Sequence, residues 1–131
     1  MLQKEVVDRI ISSPNCKQYG RLTIMLNTFF MTEHILDVPS HAFYPQPKVE
    51  SAVIRLTPIN HTSVDLASFK KFEKLINQAF TMRRKTIANN LKPILSPEQL
   101  LTIGIAPNLR PEQISIAEYA SILKHFEYIL N

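Results

Sequence analysis

The sequence predicts an α+β fold in which strands are confined to roughly the first sixty residues and everything after residue 63 is helical. Three observations carry this. Val49 to Leu56 is a β-branched, strand-like run entered from a proline-rich loop. Beyond residue 63, apolar residues recur at spacings of three and four. Two later segments open with the Ser-x-x-Gln and Ser-x-x-Glu pattern of a helix N-terminus.

Taken in order, Leu2 to Val7 reads as a short strand or the lead into a helix. Arg21 to Phe30 reads as a helix with Leu22, Met25, Leu26, Phe29 and Phe30 on one side, and His34 to Val38 as a short strand. Phe43-Tyr44-Pro45-Gln46-Pro47 is the stiff approach to the next strand. Proline at 45 and 47 fixes φ and holds Tyr44 and Gln46 extended, so Phe43 rides on a segment with little freedom. That loop either presents the Phe43 ring for stacking or simply packs it on the domain.

In the second half, Leu66, Phe69, Phe72, Leu75, Ile76, Ala79 and Phe80 form one helical stripe. Thr81 interrupts it, and the triplet Arg83-Arg84-Lys85 is expected to open a second short helix ending near Leu91 or Lys92. Ser96-Pro97-Glu98-Gln99 starts another, with proline at its first position and Gly104 as its stop. Ser115-Ile116-Ala117-Glu118 starts the last, whose face is Ile116, Tyr119, Ala120, Leu123, Phe126 and Leu130. The expected division is 1–60 and 63–131, the second a bundle of four or five helices. Sixty residues with two or three strands bury little surface alone, so the first unit is expected to need help. The missing strands would come from further polypeptide, or by strand exchange or self-association with a neighbouring copy.

Composition narrows the function. The chain has 131 residues, 45% of them hydrophobic, and a single cysteine, which fits one or one and a half domains and a reducing, cytoplasmic setting. No run approaches a membrane span, and the N-terminus lacks the apolar core of a signal peptide. The two glycines, Gly20 and Gly104, are too far apart for a nucleotide-binding loop. His34, His41, His61, His125 and Cys16 are isolated, so no metal site is expected.

The net charge is +4, and the excess is concentrated. From Lys74 to Pro97 every charged residue is positive: Lys74, Arg83, Arg84, Lys85 and Lys92, closed off by Glu73 and Glu98. Ordinary helix surfaces mix signs. A one-sign patch of this kind attracts a polyanion, and nucleic acid is the usual one.

Four blocks then stand in unbroken order: Lys17-Gln-Tyr-Gly-Arg-Leu22, Phe43-Tyr-Pro-Gln-Pro-Lys-Val-Glu-Ser-Ala-Val53, Ala79-Phe-Thr-Met-Arg-Arg-Lys-Thr-Ile87 and Arg110-Pro-Glu-Gln-Ile-Ser-Ile-Ala-Glu-Tyr119. Together they resemble the bacterial small-subunit rRNA adenine dimethyltransferases, the kasugamycin-resistance family, from Met1 to about Tyr128. The resemblance implies that residues 1 to about 60 are the last strands and helices of a Rossmann-like methyltransferase domain. Residues 63–131 would be an α-helical rRNA-binding domain, with Met1 an internal methionine of the parent.

The implied chemistry is transfer of methyl groups from S-adenosylmethionine to N6 of two adjacent adenines near the 3′ end of 16S rRNA, during maturation of the small ribosomal subunit. The family's glycine-rich cofactor loop and Asn-Leu-Pro-Tyr motif are not in this sequence. The chain is therefore expected to bind RNA without binding S-adenosylmethionine or methylating by itself. By the same resemblance Phe43 is an aromatic wall for the target adenine, and Arg83, Arg84 and Lys85 are the principal rRNA contacts. Arg110 adds another, and Lys48, Lys17 and Arg21 face RNA near the active-site rim, a structural or solvent role being the alternative for each of these three. The competing reading is a stand-alone helical module that binds RNA or protein.

Overall fold

A computed structural model describes residues 1–130. The first half is a three-stranded antiparallel sheet, ordered β1-β3-β2, carrying two helices. The Leu2–Val7 segment resolves into both of its expected forms, a two-residue strand β1 (Leu2–Gln3) running straight into α1 (Lys4–Ile10). Valines 6 and 7, which favour strand by propensity, are helical because Val7 and Ile10 are buried by that geometry.

Helix α2 (Arg21–Phe29) lies where the sequence places it, but its inward face differs. Leu22 is exposed, whereas Thr23, Ile24, Thr28 and Phe29 are buried. Buried threonine is tolerated because each hydroxyl finds a carbonyl: Thr23 donates to Arg9 O and Thr28 to Ile24 O at 2.6 Å. Thr23 Oγ1 also accepts the Gly20 N–H at 3.1 Å, and Asn27 Nδ2 donates to Ile10 O at 2.6 Å. A polar seam thus joins α2 to α1.

Strands β2 (Phe30–Val38) and β3 (Ser51–Pro58) pair from Phe30↔Pro58 to Val38↔Ser51, with a bulge between His34 and Leu36. β2 is longer than the predicted 34–38 strand because its first four residues continue directly from α2. Arg55 on β3 faces Glu33 across the ladder at 3.4 Å. At the strand's other end His34 Nε2 and Lys4 Nζ lie 2.8 and 3.6 Å from the Asp37 carboxylate, which they hold below the usual carboxylate range.

The second half contains α3 (Phe69–Ala79), α4 (Ile87–Leu91), α5 (Pro97–Thr102) and α6 (Ile116–Phe126). Both serine capping boxes form: Ser96 Oγ accepts from Gln99 N–H and Ser115 Oγ from Glu118 N–H, each with the reciprocal bond. Gly104 takes a φ of 81° just past α5, where a left-handed residue ends a helix. The α3 stripe holds from Phe72 to Phe80, but Leu66 is in a preceding 3₁₀ turn and exposed.

One apolar cluster spans both halves. Tyr19, Ile24 and Phe29 join Phe72, Leu75, Ile76, Ile87, Leu100, Ile114, Tyr119 and Ile122 in it. The Phe29 and Phe69 rings meet at 5.6 Å between centroids. The α2 side of the first half therefore has its burial supplied by the helices. Among the described residues no helix is long and apolar enough to cross a membrane, and no cluster of His, Cys, Asp or Glu has metal-ligand grouping.

Candidate nucleic-acid interface

Arg83, Arg84 and Lys85 lie in a turn, not at the start of a helix as the sequence suggested. α3 ends at Ala79, and α4 begins only at Ile87 with Thr86 as its cap, the Thr86 hydroxyl accepting from Asn89 N–H at 3.2 Å. What overrides the helical propensity of Arg and Lys is Asn90, which is buried at 4% exposure. Its Oδ1 accepts the Met82 N–H at 2.9 Å. Its Nδ2 lies 2.9, 3.3 and 3.1 Å from the carbonyls of Met82, Lys85 and Thr86. Both ends of the cationic turn are thus fastened to one side chain, which Gln78 steadies in turn by donating to Asn90 O at 2.8 Å.

The three cations differ in their surroundings. Arg84 and Lys85 are exposed, and their side chains have no hydrogen-bond or ion-pair partner among the described residues. Arg83 is half-buried. Its Nη2 donates to Lys17 O at 2.7 Å and to Cys16 O at 3.3 Å, and its guanidinium lies 6.0 Å from the Phe80 ring centroid.

Arg83 and Lys17 line one open cavity of about 560 Å³ with Arg9, Gln18, Gly20, Leu22 and Glu5, the Arg9 guanidinium pairing with Glu5 at 2.9 Å. Arg21 follows Gly20 as the first residue of α2 and is exposed. Arg110 is drawn toward the turn from another direction, because the neighbouring Leu109 O accepts the Ile87 N–H at 2.6 Å. That bond, with Ala88 N–H to Pro107 O at 3.2 Å, occupies the leading N–H groups of α4.

Phe43 and Lys48 stand apart on the proline loop. The Phe43 ring is half-buried and lines a shallow cavity with Met1, Tyr44, Pro45, Pro47 and Ser51. The Tyr44–Pro45 peptide is cis, and the Tyr44 side chain is fully exposed. The loop is braced by more than its prolines, since the Glu50 carboxylate accepts the Ser40 N–H at 2.9 Å and Gln46 donates to Ser40 Oγ at 3.1 Å. Lys48 is exposed, and the neighbouring hollow is lined by Glu5, Asp8 and Glu50 together with Lys4.

Beneath the turn lie two buried tyrosines. Tyr19 donates to Ile114 O at 2.6 Å and Tyr119 to Pro111 O at 2.7 Å. Burial pushes both phenols well above the usual tyrosine range, with Glu118 adding to each and Arg83 opposing it at Tyr119. They are hydrogen-bond struts, protonated through neutral pH. Sequence reading placed Tyr119 on the buried face of α6 but missed Asn90, the burial of Tyr19 and the hydrogen bonds of both phenols, because those depend on tertiary partners.

Residues 1–128 match the family model described as ribosomal RNA adenine dimethylase. Proteins named ribosomal RNA small subunit methyltransferase A are similar. The one from Legionella pneumophila strain Corby is 49% identical over 124 residues, 95% of this chain and 48% of its own length. That of Neisseria meningitidis serogroup A is 46% identical over 122 residues, 93% and 47%. This chain spans about half the length of the curated relatives it matches. In fold it resembles a dimethyladenosine transferase from Plasmodium falciparum, with a TM-score of 0.75 at 20% identity over 97% of this chain and 55% of that one. It also resembles the 23S rRNA methyltransferase ErmE, with a TM-score of 0.63 at 22% identity over 95% and 52%. The chain belongs to the ribosomal RNA adenine dimethylase family.

Proposed function

We propose that this chain supplies the RNA-gripping surface, and one wall of the target-base site, of an S-adenosylmethionine-dependent adenine N6,N6-dimethyltransferase. Its substrate is two adjacent adenines near the 3′ end of 16S rRNA in the small ribosomal subunit, in the cytoplasm. The observation that carries this reading is the turn at 83–85, which holds Arg84 and Lys85 without protein partners among the described residues on a backbone fixed by Asn90. A cation already paired with a carboxylate gains little from a phosphate; a free one on a rigid support displaces counterions from RNA at low ordering cost. Arg110, Lys17 and Arg21 extend the positive surface, and the Arg83–Lys85 turn is its centre.

In the methyl-transfer reaction the exocyclic amine must be aimed at the donor methyl, which requires the adenine to leave its stack. Phe43 is the aromatic wall for that extruded base, stacking of this kind being worth about 1–3 kcal/mol. Lys48 lies five residues further along the same loop.

S-adenosylmethionine would supply the methyl group, but the described residues do not fit it. Neither glycine ends a strand: Gly20 precedes α2 and Gly104 follows α5. The open cavity beside the turn is lined by Arg9, Lys17 and Arg83 against the single carboxylate of Glu5, which suits an anion better than a sulfonium. The chain's contribution is therefore to hold and orient RNA.

The test is a fluorescence-anisotropy titration of a labelled 3′-terminal small-subunit rRNA hairpin with this polypeptide at about 50 mM salt. Saturable binding that weakens linearly in log K against log salt is expected. Absence of binding at that salt would remove RNA recognition from this chain.

A further inference from the structure

Arg83 differs from its two neighbours in what its charge faces. Its Nη2 bridges two successive carbonyls, Lys17 O at 2.7 Å and Cys16 O at 3.3 Å, sixty-six and sixty-seven residues away in sequence. Its Nη1 lies alongside Gly20, where a Cβ would sit 3.5 Å from it, and its plane lies over Phe80. Charged donors to backbone carbonyls are among the stronger protein hydrogen bonds.

The segment so held has few other ties. Asn15 N–H donates to Glu112 O at 2.8 Å, Tyr19 N–H to Cys16 O at 3.2 Å, and the Tyr19 hydroxyl to Ile114 O. Cys16 O thus serves both Arg83 and the turn that delivers Tyr19 to the core. Cys16, Lys17 and Gln18 are exposed and contribute no apolar burial, so hydrogen bonds set where the loop sits. The loop leads directly into Gly20 and α2, and through α2 into β2.

We propose that Arg83 is a positioning residue: it locks the Cys16–Lys17 loop onto the turn between α3 and α4, fixing Lys17 and Arg21 relative to Arg84 and Lys85, and makes no phosphate contact of its own. This rests on the RNA-binding reading for its consequence but not for its geometry. The bridge sets the spacing between two groups of cations on different halves of the chain, which RNA must meet simultaneously. Losing it lowers affinity severalfold while leaving the number of phosphate contacts unchanged.

The experiment compares Arg83→Ala, Arg83→Lys and Arg84→Ala in this chain by two readouts, the slope of log K against log salt for the hairpin and amide hydrogen exchange at Asn15 and Tyr19. Arg83→Ala is expected to leave the slope unchanged and to speed exchange at both amides by roughly tenfold or more. Arg83→Lys keeps the charge but not the fork, so it too speeds exchange. Arg84→Ala is expected to lower the slope by about 0.7–0.9 with exchange unchanged. A slope loss of that size in Arg83→Ala, restored in Arg83→Lys, would overturn the proposal, as would unchanged exchange in both Arg83 variants. If Arg84→Ala also leaves the slope untouched, the RNA-binding reading is what fails, and amide exchange still decides whether Arg83 is the brace.

Discussion

Replacing Asn90 with alanine should destabilise the protein out of proportion to the few atoms removed. The Asn90 side chain serves four backbone groups, but two of them have other partners: Met82 O also accepts the Lys85 N–H at 2.9 Å, and Thr86 O accepts the Asn90 N–H at 3.0 Å. Met82 N–H and Lys85 O lose the only bonds they make among the described residues. An orphaned backbone group costs about 1–3 kcal/mol, and the turn's outer side admits water, so the lower half of that range applies to each. The sum is about 2–4 kcal/mol. With a urea m-value of about 1.5 kcal/mol/M, the midpoint should fall by between about 1.3 and 2.7 M at unchanged m, read by circular dichroism. A shift under about 0.3 M would mean that the turn holds its shape without Asn90, refuting the view that this side chain overrides helix formation at 83–85.

Other outcomes follow from the tyrosine struts. Tyr19→Phe keeps the ring's shape but leaves the buried Ile114 carbonyl without its donor, so stability should drop by about 1–3 kcal/mol in the same urea assay. An unaltered midpoint would mean that the strut is dispensable. Because burial raises the phenol pKa of Tyr19 and Tyr119 in the folded state, their contribution is complete below pH 10, the ordinary tyrosine value, and is lost as pH rises through the folded value. Above pH 10 the unfolded chain has released protons that the folded one retains, so stability should fall by about 1.4 kcal/mol per pH unit for each tyrosine. In Tyr19→Phe that alkaline slope should halve; equal steepness in both proteins would place the effect elsewhere.

Elements that announce themselves locally were legible in the sequence. Ser96 and Ser115 each meet a Gln or Glu three residues on, and both helices start there. The Phe72 to Phe80 stripe is buried as its period requires. Legibility ended where tertiary contacts outvoted local preference. Arg83 to Lys85 favour helix by propensity, yet Asn90 pins their backbone into a turn. Helix α2 shows Leu22 to solvent and buries Thr23, because only a hydroxyl can serve both Arg9 O and the Gly20 N–H at that seam. The site was half-readable for the same reason. A one-sign run of charge singles out the proposed RNA surface, but nothing local separates Arg83, committed to Cys16 and Lys17 carbonyls, from Arg84 beside it.

Measuring the salt dependence of hairpin binding for the Arg84→Ala, Lys85→Ala double variant against the unsubstituted chain tests the central claim most directly. Two lost phosphate contacts should flatten the slope of log K against log salt by about 1.4–1.8 units, at 0.7 per contact for single-stranded and 0.9 for duplex RNA taken as for DNA. An identical slope in the two proteins would contradict the claim that this turn is where the chain grips RNA.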